Sequence, residues 1–183
     1  MTKNALVLLL PMALLGACAA MQAPPALVDN AALPEAVRAP AGARQTMWTV
    51  GVGEITYECR AKKDMADQHE WAFVGPVAQL RNAAGQVVGR YYAGPTWEAA
   101  DGSRVTGKQL AVAPAGAGNI PLQLVKADPA TPASKGMGAM QGVSHIQRLK
   151  TQGGVAPAAP CAMSNQGERR QVAYQADYVF YGM

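Results

Sequence analysis

The densest gathering of side chains able to do chemistry lies between Tyr91 and Asp101. Tyr91 and Tyr92 precede a Gly94-Pro95 break, and Trp97, Glu98 and Asp101 follow it. Aromatic faces beside carboxylates suit sugar rings, whose C–H faces stack while their hydroxyls donate to the acids. Tyr91, Tyr92, Trp97, Glu98 and Asp101 are therefore the candidate binding surface. The structural alternative is that Trp97 plugs one end of a barrel and Glu98 holds the turn through backbone N–H groups, since large aromatics usually serve the core. Glu98 and Asp101 also raise the alternative of a glycoside-type hydrolase. Such enzymes place two carboxylates on either side of the scissile bond, at a separation that spacing along the chain does not fix.

Other reactive groups form no assembled constellation. Ser144 and His145 are neighbours in a strand-like stretch, where adjacent side chains point to opposite faces, so they are not expected to form a Ser-His pair. Ser103 lacks the context of a nucleophile elbow. His69 and His145 are the only histidines and belong to different segments; Met137, Met140 and Met163 suggest a soft copper site only weakly, because methionine more often fills gaps or sits in loops. No metal and no cofactor is expected. Arg148 and Lys150 alternate with Ser144 and Ile146 and read as an ordinary solvated strand face. A net charge of +4 without a basic run gives no reason to expect nucleic acid as a partner.

The beginning of the chain says where these groups work. Lys3 precedes the apolar run Ala5 to Leu15, which ends in Leu15-Gly16-Ala17-Cys18. A positive end, a short apolar core and small residues before the cut define a secretory signal, too short to span a membrane permanently. The pattern resembles the lipobox of bacterial lipoproteins, which implies cleavage after residue 17, acylation of Cys18 and stable tethering to a membrane. Ala19 is not the aspartate that favours inner-membrane retention in such proteins, so the expected address is the outer membrane, facing the periplasm. With Cys18 committed to lipid, Cys59 and Cys161 are an even pair in an oxidising compartment and are expected to form a disulfide. Closing a loop of about a hundred residues removes roughly 4 to 5 kcal/mol of unfolded-chain entropy.

Residues 18–41, rich in Ala and Pro, read as an extended tether, and residues 42–183 as a single β domain, although Leu27, Val28, Leu33 and Val37 could dock as an edge strand. Trp48, Val50 and Val52 alternate, and the apolar phase then moves to Ile55, Tyr57 and Cys59, which suggests a bulge near Gly53-Glu54. Trp71 and Phe73 make a short strand, and Val77 to Leu80 and Val87 to Tyr92 a hairpin around Asn82-Ala83-Ala84-Gly85. Strands follow at Arg104 to Val112, Ile120 to Val125, Val143 to Leu149 and Val172 to Tyr181, the last with Val172, Tyr174, Ala176, Tyr178 and Phe180 on one face. Pro129 to Met140 and Gly153 to Gln166 read as long Gly/Ala/Pro loops. The expected fold is all-β: an antiparallel β-sandwich or partly closed β-barrel of about eight short strands.

Several of these segments carry a family resemblance. Trp71-Ala72-Phe73, Gly89-Arg90-Tyr91-Tyr92-Ala93-Gly94-Pro95-Thr96-Trp97-Glu98, Asp101-Gly102-Ser103, Ile146 to Gly154 and Tyr174 to Tyr181 together resemble the secreted bacterial and fungal family catalogued as domain of unknown function 3455. The resemblance implies no activity. Members carry His ahead of the tyrosine in the central string; Arg90 stands here, which removes the ligand a metal role would need. A dehydrogenase label attached to some fungal relatives finds no support, since Gly51-Val52-Gly53 is followed by Thr56 at the third glycine position and by no helix pattern. The expected function is an envelope-bound binding or structural module, contacting the membrane through lipid and cell-envelope glycan through the Tyr91 to Asp101 region.

Overall fold

The computed structural model describes residues 27–183. The leader, the lipidation site Cys18 and the first part of the expected tether lie outside the described residues. Eight strands follow in order: β1 (Arg44–Lys62), β2 (Met65–Arg81), β3 (Val87–Tyr92), β4 (Thr96–Ala99), β5 (Arg104–Ala113), β6 (Leu122–Ala127), β7 (Val143–Gly153) and β8 (Arg169–Gly182). Each pairs antiparallel with the next, and β8 returns to pair with β1, so the barrel is closed. Of the two expected architectures, the barrel is therefore the one adopted. Not every strand is short: β1 runs 19 residues and β2 17.

Length and phase in β1 and β2 explain the difference. From Met47 onward β1 keeps one alternation, with Gly51, Ile55, Tyr57 and Cys59 buried inside and Val52, Glu54 and Arg60 away from the core. The interior positions are glycine where the barrel is tightest: a Cβ on Gly51 would lie 2.5 Å from Cε2 of Tyr178, and one on Gly53 would lie 2.5 Å from Cα of Ala78. The apparent phase change in β1 thus came from apolar side chains on its outer face. The bulge is in β2, where Thr56 and Tyr57 face Gly75 and Phe73 and leave Val74 as the extra residue. It moves the inward set from Trp71 and Phe73 to Pro76, Ala78 and Leu80, merging two expected strands into one. The β2–β3 turn forms as expected: Asn82 Oδ1 accepts from the backbone N–H groups of Ala84 and Gln86, and Gly85 takes a φ of 76°.

β8 is buried on both faces. Tyr174, Ala176, Tyr178 and Phe180 point into the barrel, while Val179 and Tyr181 pack outward under the segment that precedes β1. Within its described part, that segment is a correction to the tether reading. Two short 3-10 turns, Asn30–Ala32 and Glu35–Val37, lay it across the barrel wall as an irregular strap. Val37 is fully buried against Ala113 and Leu124, and Ala39 against Leu149, Val179 and Tyr181. A polar knot fixes the strap: buried Gln147 donates to the carbonyl of Val37 (2.7 Å) and to Asn30 Oδ1 (3.0 Å), and accepts from the Tyr181 hydroxyl (2.8 Å). The strap adds no edge strand, since β1 is already paired by β2 and β8, yet the apolar outer face of β7 and β8 still needs a cover.

Deleting residues before Gly42 should therefore destabilise the barrel, with burial of Val37 alone contributing about 1.5 to 3 kcal/mol. Gln147→Ala should cost about 2 kcal/mol by leaving the Tyr181 hydroxyl and the Val37 carbonyl without partners. Thermal unfolding followed by circular dichroism checks both; melting temperatures equal to that of the intact chain would contradict the strap's role.

Candidate binding site at the barrel mouth

The period-two geometry of β3 and β4 separates the residues of the expected binding surface. Tyr91 and Trp97 are cross-strand partners that point inward, 5% and 1% exposed, with ring centroids 4.8 Å apart. Tyr178 completes the stack at 4.9 Å from Tyr91 and 5.8 Å from Trp97. These faces are core, so they cannot offer a sugar a platform, and the glycan surface read from the segment is corrected accordingly. Tyr92 and Glu98 face the other way. The Tyr92 hydroxyl and Arg90 Nη2 each donate to the Glu98 carboxylate at 2.8 Å, and Arg90 lies 5.2 Å from the Tyr92 ring centroid. These bonds hold the Glu98 carboxyl below its ordinary pKa.

Asp101 works at one end of the barrel, beyond β4. Its Oδ1 accepts from the Ser103 N–H (2.8 Å) and hydroxyl (2.6 Å), and its Oδ2 from the Ala139 N–H (2.7 Å). Ser103 Oγ accepts in turn from Met140 N–H, which seats the buried Met140 side chain as a plug in that end of the barrel. The hydroxyl and amide donors lower the Asp101 pKa. A glycosidase acid must stay protonated near neutrality, whereas both carboxyls here are biased toward the charged form.

Two other expectations are corrected. Ser144 is a bulged residue between Val143 and His145, which face Gly182 and Tyr181, and the bulge brings His145 Nδ1 within 3.1 Å of Ser144 Oγ. The hydroxyl donates to the Tyr181 carbonyl, so the ring nitrogen faces an oxygen whose proton is already engaged. This contact is no activated nucleophile. Arg148 does not sit on a solvated face, because it faces the inward Tyr178 and shares with buried Ile146 the side of β7 that turns toward the barrel axis. Lys150 leaves that phase with a φ of 46° and pairs outside with Asp177 at 3.3 Å. Met140 is buried while Met137 and Met163 are 89% and 70% exposed, and among the described residues no three His, Cys, Asp or Glu side chains gather around one point.

The end of the barrel opposite the Met140 plug is an open mouth of about 390 Å3, a size within the range of small-molecule pockets. Tyr57 and Phe73 form one wall, edge to face at 6.1 Å; Ile55, Ile120 and Tyr91 contribute apolar surface. The polar groups are few. Arg148 donates from Nε and Nη2 to the Pro121 carbonyl at 3.1 and 2.9 Å, Gln123 Nε2 donates to Gln109 Oε1 at 2.6 Å, and the Tyr57 hydroxyl donates to the Gly154 carbonyl at 2.8 Å. Burial pushes the phenols of Tyr57 and Tyr91 up, while the Arg148 charge pulls both back down, so its field reaches across the mouth. The Cys59–Cys161 disulfide, with Cα atoms 5.5 Å apart, ties the loop between β7 and β8 to β1 at this end, and Trp71 Nε1 donates to Ala159 of the same loop at 2.7 Å. A larger groove, about 610 Å3, runs between the strap and the wall beside Trp48 and Leu149, but its one cation, Lys150, is already paired with Asp177.

Fold and site together define a closed antiparallel β-barrel with one plugged end and one open, mixed apolar and polar mouth. The chain belongs to the family described as protein of unknown function, domain 3455, whose model matches residues 40–182. No curated protein and no solved structure matches it.

The carboxylates give the site's surroundings a defined acid response. Glu58, held down to about 2 by Arg60 and Arg169, and Glu98, Asp101 and Glu168, also lowered, have folded pKa values below their unfolded ones. Their contribution is present above the unfolded values and is lost as pH falls through the folded ones. The urea midpoint should hold steady above about pH 5 and decline toward pH 2, and Asp101→Ala should lower it at pH 7 while flattening the decline. A midpoint independent of pH in that window would contradict this.

Proposed function

We propose that the protein is a lipid-anchored binding module of the cell envelope, held at the outer membrane facing the periplasm, with the barrel mouth as its ligand site. The observation that carries the reading is the contrast between the two ends. One end is closed by Met140 and the Asp101 hydrogen bonds, and the other keeps about 390 Å3 open above a rigid aromatic floor. A barrel that served packing alone would gain by filling that space with side chains. The anchor rests on Leu15-Gly16-Ala17-Cys18, and the oxidising compartment agrees with the paired Cys59 and Cys161. A binding role suits the site better than hydrolysis, because its polar groups are donors on one side of an aromatic wall and it contains no acid-base pair.

Two measurements test the reading. Palmitate labelling should mark the wild-type chain and not Cys18→Ser; equal labelling would refute the anchor. The exported mature chain carrying Cys18→Ser should enhance the emission of N-phenyl-1-naphthylamine, a neutral aromatic reporter, and Gln109→Trp, which fills the mouth, should weaken that binding at least about tenfold. Unchanged binding in Gln109→Trp would place the reporter elsewhere and refute the mouth as the site.

A further inference from the structure

We infer that the mouth selects a small organic anion with an aromatic or apolar body, and that Arg148 is the residue that recognises its charge. This rests on the reading of the mouth as a ligand site and adds the chemical class.

The argument begins with an unbalanced charge. A guanidinium carries five N–H donors, and Arg148 spends two of them on the Pro121 carbonyl, a neutral acceptor. Among the described residues, the ion pairs engage Arg60, Arg90, Lys150, Arg169 and Arg170, and none engages Arg148. No aspartate or glutamate lines the mouth. A cation set among aromatic and aliphatic side chains, partly shielded from water, is an expensive arrangement for a purely structural residue, since a charge in such surroundings normally acquires a partner. Its position is fixed by the fold: Arg148 faces Gln123 on β6 and Tyr178 on β8, and the two bonds to Pro121 hold the plane of the guanidinium. Preorganised in this way, the remaining N–H groups can take two oxygens of a carboxylate, sulfonate or phosphate ester side by side.

The rest of the mouth specifies the body of the ligand. Gln109 retains its amide N–H groups after accepting from Gln123, which adds neutral donors near the charged one. Opposite them, Tyr57 and Phe73 present ring surface, and Phe73 is 59% exposed although it points toward the barrel axis beside Tyr57. An exposed aromatic beside a fixed cation is suited to a flat apolar body ending in an anionic group. A bare inorganic anion would leave that wall in water and gain only the charge contact.

The experiment compares two probes that share one body. 1-Anilinonaphthalene-8-sulfonate and N-phenyl-1-naphthylamine differ in the sulfonate, and both report binding by fluorescence. With the exported mature chain carrying Cys18→Ser, the sulfonate should bind at least about tenfold more tightly than the neutral probe, as a charge-assisted contact implies. Arg148→Gln should abolish that preference, the ratio of the two affinities measured on the same variant falling at least about tenfold toward unity. Gln109→Glu keeps Arg148 and supplies the missing carboxylate; it should remove the preference in the same way, which covers the case in which Arg148→Gln fails to fold. Phenylacetate should displace the sulfonate, and inorganic phosphate at the same concentration should not. If the two probes bind wild type equally, or the preference survives Gln109→Glu, the anion inference is overturned while the binding reading stands. If phosphate competes as well as phenylacetate, the body requirement is overturned. If neither probe binds, the ligand-site reading and this inference fail together.

Discussion

The ring of Tyr178 lies where a side chain on β1 would otherwise stand. Gly51 has no Cβ, and adding one would put it 2.5 Å from the ring, so the backbone of β1 is the surface on which Tyr178 rests. From there the ring meets Tyr91 and Trp97, whose pairing across β3 and β4 holds them stacked. Three large aromatics joined through a bare stretch of strand bring opposite walls of the barrel together and fill its middle. The mouth exists because this stack stops short of one end, and it has a firm floor because buried aromatic stacks resist repacking. The Tyr174 and Tyr178 hydroxyls, 3.3 Å apart, share one hydrogen bond within the floor.

The two covers outside the barrel serve the same end. The strap buries the outer faces of β7 and β8, so the strand carrying Arg148 is packed on both sides; Gln147 is locked to Val37 and Asn30, and Leu149 sits under Ala39. A residue flanked by two such anchors cannot drift, and its guanidinium keeps its place against Pro121. At the rim, the Cys59–Cys161 disulfide and the Trp71–Ala159 hydrogen bond tie the long loop between β7 and β8 to β1 and β2. Stability and site geometry thus share their causes.

Much of the fold could be read in the chain because period two is a local signal. The inward face of β8, the Asn82 to Gly85 turn and the disulfide pair each follow from neighbouring residue types or from parity. The same logic applied to Tyr91-Tyr92 and Trp97-Glu98 separates one inward aromatic from one outward partner in each pair, which is why the clustered surface dissolves in three dimensions. β1 misled for a physical reason: its inner face needed glycine, and Trp48 on its outer face is apolar because the strap packs on it. Arg148 was hidden by the converse, since Ile146, Gln147 and Leu149 around it are all buried and give no contrast between faces. A mouth assembled from β1, β2, β3, β5, β6 and β7 has no signature along the chain, because its groups meet only when the barrel closes.

The central claim is that ligand enters the open end of the barrel and meets Arg148, rather than settling in the larger apolar groove beneath the strap. Backbone amide chemical-shift mapping during titration with 1-anilinonaphthalene-8-sulfonate tests this most directly. The account predicts that the largest changes fall on Tyr57, Phe73, Gln109, Gln123 and Arg148. Changes concentrated on Val28, Leu33, Trp48 and Leu149 would contradict it.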